Sequence, residues 1–365
     1  MNRRAILTGG SVVVLGGAGA AWLGWRGMGS MHDYDASVAE SRAALSAMPE
    51  MRDFIRYATL APSGHNTQPW LFHAHSAGID ILPDPSRRTP VVDPDNHHLF
   101  VSLGAAAENL AIATDMRRAG GLVTFEPANG GSMLFRFGAA GPPEQSLFDA
   151  ISKRQSTRAE YDRRPVSNAD LRLLARAAVV PGVDCVLITN RQQINRVRDL
   201  VIAGNTAQIA DPAFVRELKH WLRFSPRAAL AHGDGLFSAA SGSPALPDWL
   251  GGQAFDWVFR PAADNDKYAR QIASSAGIAV FVSAQPDARH WTQAGRACQR
   301  FALQATALGL KHAFINQPVE VARLRSELAS LVGLPGQRPD LVMRFGRGVD
   351  LPYSARRPAS AVMST

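Results

Sequence analysis

Gly104-Ala-Ala-Ala-Glu-Asn-Leu-Ala-Ile-Ala-Thr114 has a counterpart later in the chain, Gly295-Arg-Ala-Cys-Gln-Arg-Phe-Ala-Leu-Gln-Ala-Thr306. Both carry apolar residues at helical spacing, contain few breakers and run towards a glycine, Gly120 and Gly309. Each predicts a long, mostly buried helix. Each is followed by an apolar stretch, Leu122–Phe125 and Leu310–Ile315, that reads as a strand. A second pair of segments precedes them in the same order. Phe54-Ile-Arg-Tyr-Ala-Thr-Leu-Ala-Pro62 matches Leu174-Ala-Arg-Ala-Ala-Val-Val-Pro181, each a helix stopped by proline. A strand is expected after each, Trp70–Ala74 and Cys185–Thr189, and Ser167-Asn-Ala-Asp170 opens the later helix with a cap-forming pattern. Further strands are expected at Ile79–Leu82, Leu134–Phe137, Ile278–Ser283 and Leu341–Phe345. Two matching pairs in one order argue for an α+β unit built twice.

The chain has 365 residues, 46% hydrophobic and 19% charged, which suits a globular protein with a sizeable core. Its net charge of +8 comes from scattered side chains, with no run of five or six basic residues and no aromatic interleaving. That distribution argues against a nucleic-acid partner. The two cysteines, Cys185 and Cys298, form no metal-ligating or redox pattern and read as buried free thiols. His73, His75, His97 and His98 lack the carboxylate or cysteine that would complete a metal set.

Residues 1–25 stand apart. Arg3 and Arg4 precede a Gly/Ala/Val-rich apolar run that ends at Trp25. This resembles a twin-arginine export signal, with small residues at Gly17–Ala21 for cleavage. The run 5–25 is also long enough to serve as a membrane anchor, which needs about 20 residues. Export by the twin-arginine translocase is therefore expected, to a periplasmic or membrane-anchored location. The expected division is a signal or anchor at 1–30, a first half at 31–140 and a second half at 141–365. The stretch at about 204–268 has no counterpart in the first half and reads as a helical insertion able to form a lid.

Two segments carry chemistry. Ala61-Pro-Ser-Gly-His-Asn-Thr-Gln-Pro-Trp70 mixes turn formers with hydrogen-bonding side chains. Backbone at Pro62 and Gly64 can approach a planar ligand closely, while Ser63 and Asn66 offer donors and acceptors. Lys153-Arg-Gln-Ser-Thr-Arg158 places Arg154, Ser156 and Arg158 at alternate positions, so on extended backbone they point one way. Guanidinium forks with a hydroxyl suit a phosphate. Arg356-Arg357-Pro358 offers a further anion contact.

These residues resemble the FMN-dependent nitroreductase family, in particular its duplicated, single-chain Acg-type branch, over residues 45–360. In that family FMN binds at a homodimer interface. The resemblance implies two nitroreductase-like halves, each a mixed sheet flanked by helices, joined as an intramolecular pseudo-dimer within a monomer. It implies that Arg154, Arg356 and Arg357 hold the FMN phosphate and that Ser156 bonds phosphate or ribityl oxygen. Arg158 would lie near N1 and O2. Pro62, Ser63, Gly64, Asn66 and Gln68 would cover the ring from the other half, and Asn316 and Gln317 would occupy the place of a Glu-Gly pair beside N5. The first half lacks the Arg-x-Ser-x-Arg segment, and the second lacks the Ser/Asn/Gln/Trp loop, so one flavin per chain is expected. Hydride passes through N5, so no side chain is required as an acid or base. The implied activity is NAD(P)H-dependent reduction of a small organic acceptor, or of another acceptor from a different electron donor. The alternative is a non-catalytic protein that sequesters FMN beneath its lid. Trp221, Trp249, Trp257 and Trp291 read as core or lid packing.

Overall fold

The computed structural model describes residues 27–364. The twin-arginine motif and apolar run at 1–25 lie outside the described residues. No helix within the described residues is long and apolar enough to cross a membrane.

The chain opens with α1 (Met31–Ser41) and α2 (Met51–Thr59), then forms a hairpin of β1 (Trp70–His75) and β2 (Gly78–Pro83). Next come α3 (His97–Met116), β3 (Gly121–Glu126) and β4 (Ser132–Phe137). Helices α4 (Gln145–Ile151) and α5 (Asn168–Ala177) lead to β5 (Val183–Ile188). Between β5 and the next long strand lie α6 (Arg191–Ile209), α7 (Pro212–His220), β6 (Leu222–Arg223), α8 (Pro226–His232), β7 (Leu236–Phe237), α9 (Asp248–Val258) and α10 (Pro261–Ala273). The chain finishes with β8 (Gly277–Ser283), α11 (Ala288–Ala307), β9 (Lys311–Phe314), α12 (Gln317–Glu320), α13 (Arg325–Leu331), β10 (Pro339–Gly346) and β11 (Met363–Ser364).

Two main sheets result, ordered β11-β1-β2-β4-β3 and β5-β8-β10-β9, beside a small parallel pair of β6 and β7. Without β11 the orders are identical: first, second, fourth and third strand, with the long helix between second and third. All pairings inside these eight strands are antiparallel, whereas β11 joins β1 in parallel, with Phe72 opposite Met363. The α+β architecture of two similar halves is therefore present, and the C-terminus of the second half completes the sheet of the first.

The two repeated helices cross at the centre. Every residue of α3 from His97 to Leu110 is buried, most of them apolar or small, while the polar ones, His97, His98, Glu108 and Asn109, each have a hydrogen-bond or ion-pair partner. A Cβ on Gly104 would lie 2.0 Å from the carbonyl oxygen of Thr292, and a Cβ on Gly295 would lie 2.0 Å from that of Val101. Each glycine thus meets the residue three positions before its counterpart, the signature of a two-fold relation. Gln299 donates to Asn109 across the seam at 2.6 Å, and buried Glu108 accepts from Arg296 and Arg300, both at 2.7 Å. Phe72, Ile81 and Phe135 of the first sheet and Phe281, Leu341 and Phe345 of the second pack on this helix pair in one core.

The second sheet differs in being covered on both faces. Ala279 and Phe281 of β8 face the central core, while Ile278, Val280 and Val282 join Ile194, Val197 and Val201 of α6 in a second core. In the first sheet β3 alternates half-buried and exposed residues along its length. Period-two alternation gives one wet face, whereas a continuously apolar strand needs two covers. Trp221 and Trp291 are buried, but Trp249 and Trp257 stay exposed, contrary to their reading as packing residues. Both sit on α9, an amphipathic position that the sequence pattern does not distinguish from a buried one. Cys185 and Cys298 are free thiols.

Candidate functional site

A cavity of about 260 Å³ opens beside the helix crossing. Pro62, Ser63, Gly64 and His65 wall it from the first half, and Arg158, Phe314, Asn316, Gln317 and Glu320 from the second. Val101 and Ala105 of α3 and Gly295 and Cys298 of α11 line it at the seam. Residues between Asn205 and Tyr268 roof it, among them Phe214, Leu218, Phe259 and Lys267. The cavity is therefore composite, needing both halves and the α6–α10 region.

The loop that follows α2 is strained. His65, Asn66 and Gln68 all adopt left-handed φ values of 47°, 55° and 55°. Non-glycine residues hold such values only when their surroundings over-determine them. Here the C-terminal tail and the turn before β7 do so. Asn66 Nδ2 donates to the carbonyls of Gly235 and Ala355, and Gln68 Nε2 donates to that of Gly233 at 2.8 Å. In return the Arg357 backbone N–H donates to Gln68 Oε1, and Arg356 donates to Asn66 Oδ1 at 2.8 Å. Asn66 and Gln68 thus hold the loop shape, while Pro62, Ser63 and Gly64 reach the cavity. A Cβ on Gly64 would have only His98 nearby, at 3.8 Å, so the backbone there is open to approach.

Arg154 and Arg158 part company, contrary to the expectation of one shared direction. Alternation holds only on extended backbone, and the Arg154 N–H still closes a helical turn onto Ala150. Its side chain is buried and bonds the carbonyl of Leu60. Arg158, four residues on, lines the cavity. Ser156 pairs with His312 at the edge of β9 and does not line the cavity.

Arg154 belongs to a cluster. Arg42, just after α1, is buried beside it and bonds the carbonyl of Ser152 at 2.7 Å. Arg356 bonds the carbonyls of Thr59 and Ala61. Burial first, and then mutual repulsion, push the pKa values of Arg42 and Arg154 down, and no carboxylate contributes to either. The Nε atoms of Arg42 and Arg154 are buried without a hydrogen-bond partner. Carbonyls at the C-terminus of α2 offset part of this charge, but two buried donors still lack an acceptor. Arg357 lies apart, bonding the carbonyl of Ala361 with Asp84 at 3.7 Å. Sequence reading missed Arg42, which sits in no motif.

It also passed over the titratable wall. Burial pushes His65 down to about 4, so its ring is neutral, and Nδ1 has no partner. Burial opposes the charged form of His98, but the Glu320 carboxylate at 3.5 Å and nearby Asp93 outweigh it and raise its pKa. Glu320 also accepts from Gln208 of the roof at 2.5 Å. Burial keeps the Cys298 thiol protonated by raising its pKa, which makes it a poor nucleophile. The arrangement suits a flat, polar ligand between the halves, with Arg158 as the guanidinium on the cavity wall; Arg42, Arg154 and Arg356 are not among the lining residues.

Residues 151–347 match the model of the nitroreductase family, a span of more than half the chain. A Mycobacterium tuberculosis protein named "Putative NAD(P)H nitroreductase Rv3131" is 26% identical over 322 residues, covering 86% of this chain and 90% of its own. Among solved structures, a nitroreductase with bound FMN from Desulfitobacterium hafniense is 16% identical, with a TM-score of 0.34, covering 57% of this chain and 93% of that one. The FMN-dependent nitroreductase NfnB from Mycobacterium smegmatis, solved in complex with NADPH, is 12% identical, with a TM-score of 0.36, covering 56% and 88%. On the family match, which begins just before the arginine-bearing segment and ends after β10, the chain belongs to the nitroreductase family.

Proposed function

We propose that this chain is an FMN-dependent oxidoreductase that holds one FMN in the composite cavity and reduces a small organic acceptor at the expense of NAD(P)H. The observation that carries the reading is the composite cavity, walled by Pro62, Ser63 and Gly64 from the first half and by Arg158, Asn316 and Gln317 from the second; outside its lining, buried Arg42 and Arg154, with half-buried Arg356, hold two orphaned guanidinium donors and no carboxylate partner. A phosphomonoester fits that chemistry: its oxygens accept from guanidinium forks, and its charge removes their repulsion. Bound FMN supplies the two-electron chemistry, and the protein orients and tunes it.

The chain's own residues then have separate tasks. Arg154, Arg356 and Arg42 would hold the phosphate, whereas Ser156, paired with His312 at the edge of β9, has no place on the cavity wall. Arg158 would stabilise negative charge at N1 and O2. Pro62, Ser63 and Gly64 would face the ring from the first half, and Asn316 and Gln317 from the second. The buried, unpartnered Oε1 of Gln317 and Nδ1 of His65 are further groups that a polar ring would satisfy. Asn66, Gln68 and Arg357 serve the loop that presents these contacts.

One flavin per chain follows from the unequal halves. Where the first half has its long loop, the second has only Pro181-Gly182, and a Cβ on Gly182 would lie 3.2 Å from the Gln293 side chain on α11. Flavin absorbance per mole of purified chain is the decisive measurement, with a ratio near one expected and a colourless protein fatal to the reading.

A second reading, FMN storage without turnover, draws on the roof's anchorage. Buried Asp234, between α8 and β7, pairs with both Arg87 and Arg223, and Glu217 of α7 accepts from the backbone N–H groups of Val91 and Val92. Anaerobic mixing with NADPH separates the two: bleaching of the flavin supports turnover, and an inert yellow complex supports storage. We also propose export through Arg3-Arg4 and the apolar run after them, a route suited to a protein that folds round its cofactor first. Fractionation of an R3K/R4K variant tests it, with retention in the cytoplasm expected.

A further inference from the structure

Of the tryptophans among the described residues, Trp70, Trp221 and Trp291 are buried, whereas Trp249 and Trp257 are 57% and 77% exposed. Both stand on α9. Their spacing puts them about 12 Å apart along the helix and about 80° apart round it, so they share one side. The other side of α9 is already used. Gly251 lies against the Phe224 ring, and Phe255 stacks at 4.5 Å on Phe259, which lines the cavity. The acids of α9 are engaged as well: Asp248 accepts from the Ser225 hydroxyl at 2.8 Å, and Asp256 from Lys219 at 2.7 Å. Exposed cations stand near both ends, Arg227 just after Ser225 and Arg260 just after the helix.

The described chain begins at the same place. The Arg227 backbone N–H donates to the carbonyl of Met28 at 3.0 Å. Ser225, the N-cap of α8, also holds the first residue of α9. The apolar run that ends at Trp25 therefore joins the fold within about 11 Å of extended chain from this contact.

We propose that the outer side of α9 rests on an anionic bilayer surface, with Trp249 and Trp257 at headgroup depth and Arg227 and Arg260 against lipid phosphates. Tryptophan suits that boundary, because its ring is apolar and its N–H can stay wet. Two large exposed aromatics on one helix side mark an interaction surface, and flanking cations favour anionic lipid. The place of the apolar run favours a bilayer over a protein: a segment long enough to anchor enters beside α9 and turns this side towards the lipid. The inference draws on the export-or-anchor reading of that run and is independent of the flavin reading.

Hydroxyl-radical footprinting of the full chain, read residue by residue by mass spectrometry, tests this on vesicles of phosphatidylcholine and phosphatidylglycerol. Oxidation of Trp249 and Trp257 should fall at least about threefold when vesicles are added, as an interfacial helix buries its apolar side. Exposed Leu122 of β3 should keep its reactivity. Trp257→Ser should need about tenfold more lipid for half-protection of Trp249. Arg260→Gln should need about fivefold more on these vesicles and no more on phosphatidylcholine alone. Unchanged oxidation of both tryptophans overturns the proposal, as does equal protection of Leu122. Protection without lipid also overturns it: growing with protein concentration it would mean a second copy on this side, and constant it would mean the chain's own first 25 residues. Failure of the export reading would look different, as an R3K/R4K variant that still leaves the cytoplasm while the vesicle footprint is unaltered.

Discussion

The loop from Pro62 to Gln68 and the turn Pro181-Gly182 occupy matching places, each between a helix and the first strand of a sheet. One holds three non-glycine residues in left-handed backbone and walls a cavity. The other turns on Gly182 at φ 78° and stays exposed. The same contrast recurs across the molecule: the second half has the arginine-bearing segment Arg154–Arg158, and the first half has no Arg-x-Ser-x-Arg ahead of its loop. Fused halves need not stay alike, because each has to supply only one side of one site. What both must keep is the seam, where Gly104 and Gly295 remain equivalent.

That contrast can be broken most forcefully at the seam. Gly104→Val and Gly295→Val each drive a side chain into a backbone carbonyl, and each should cost at least about 3 kcal/mol, the upper range of overpacking. Urea unfolding midpoints measure it, and a large loss at one glycine with none at the other would refute the two-fold relation. Next in size is the division of labour between halves. Arg154→Ala should weaken FMN retention about ten- to a hundredfold through lost charge-assisted bonds. Arg52→Ala, at an exposed position of α2 in the first half, should leave it within about twofold. Fluorescence of released FMN reads both, and unchanged flavin occupancy in Arg154→Ala would remove that residue from the site.

Acid should then expose one buried histidine in each half. Burial lowers His65 to about 4 and His312 to about 3, whereas an unfolded histidine titrates near 6.5. The unfolded state therefore binds more protons below about pH 6.5, and stability present above that pH is lost as pH falls towards the folded values. Each ring contributes about 1.4 kcal/mol per pH unit in that window. His312→Leu should make the acid limb shallower by that slope, since both nitrogens of His312 are buried without partners; an unaltered limb would show that the ring is protonated in the fold. The smallest expected effect is Asn66→Ala, which removes the loop's bonds to Gly235, Ala355 and Arg356 and should cost about 1–2 kcal/mol. No such cost would mean that the strained loop needs no clamp.

Local pattern made the repeat legible. The helices around Gly104 and Gly295 and the strands beside them follow from periodicity alone, and each lies where the sequence pattern predicts. The observed helices begin earlier, at His97 and Ala288, because the cap residues sit upstream of the repeat. The site was harder to read where it depends on distant contacts. Asn66 and Gln68 look like ligand donors in sequence, yet their hydrogen bonds go to segments more than 160 residues away. Arg42 carries no motif and acquires meaning only from Arg154 and Arg356 beside it. His98 and Glu320 are unremarkable singly and form a pair only once α12 meets the start of α3. The separate destinations of Arg154 and Arg158 follow from one residual helical turn, which alternate spacing does not reveal.

The parallel pairing of Met363 and Ser364 with β1 sets a schedule for synthesis. The outer edge of β1 stays uncovered until Met363 and Ser364 have been made. An unpaired edge is a template for association with other chains. The nascent first half must therefore be kept solitary for the whole time the second is being made. A chain that stops before Met363 would carry its defect in the sheet built by the first half.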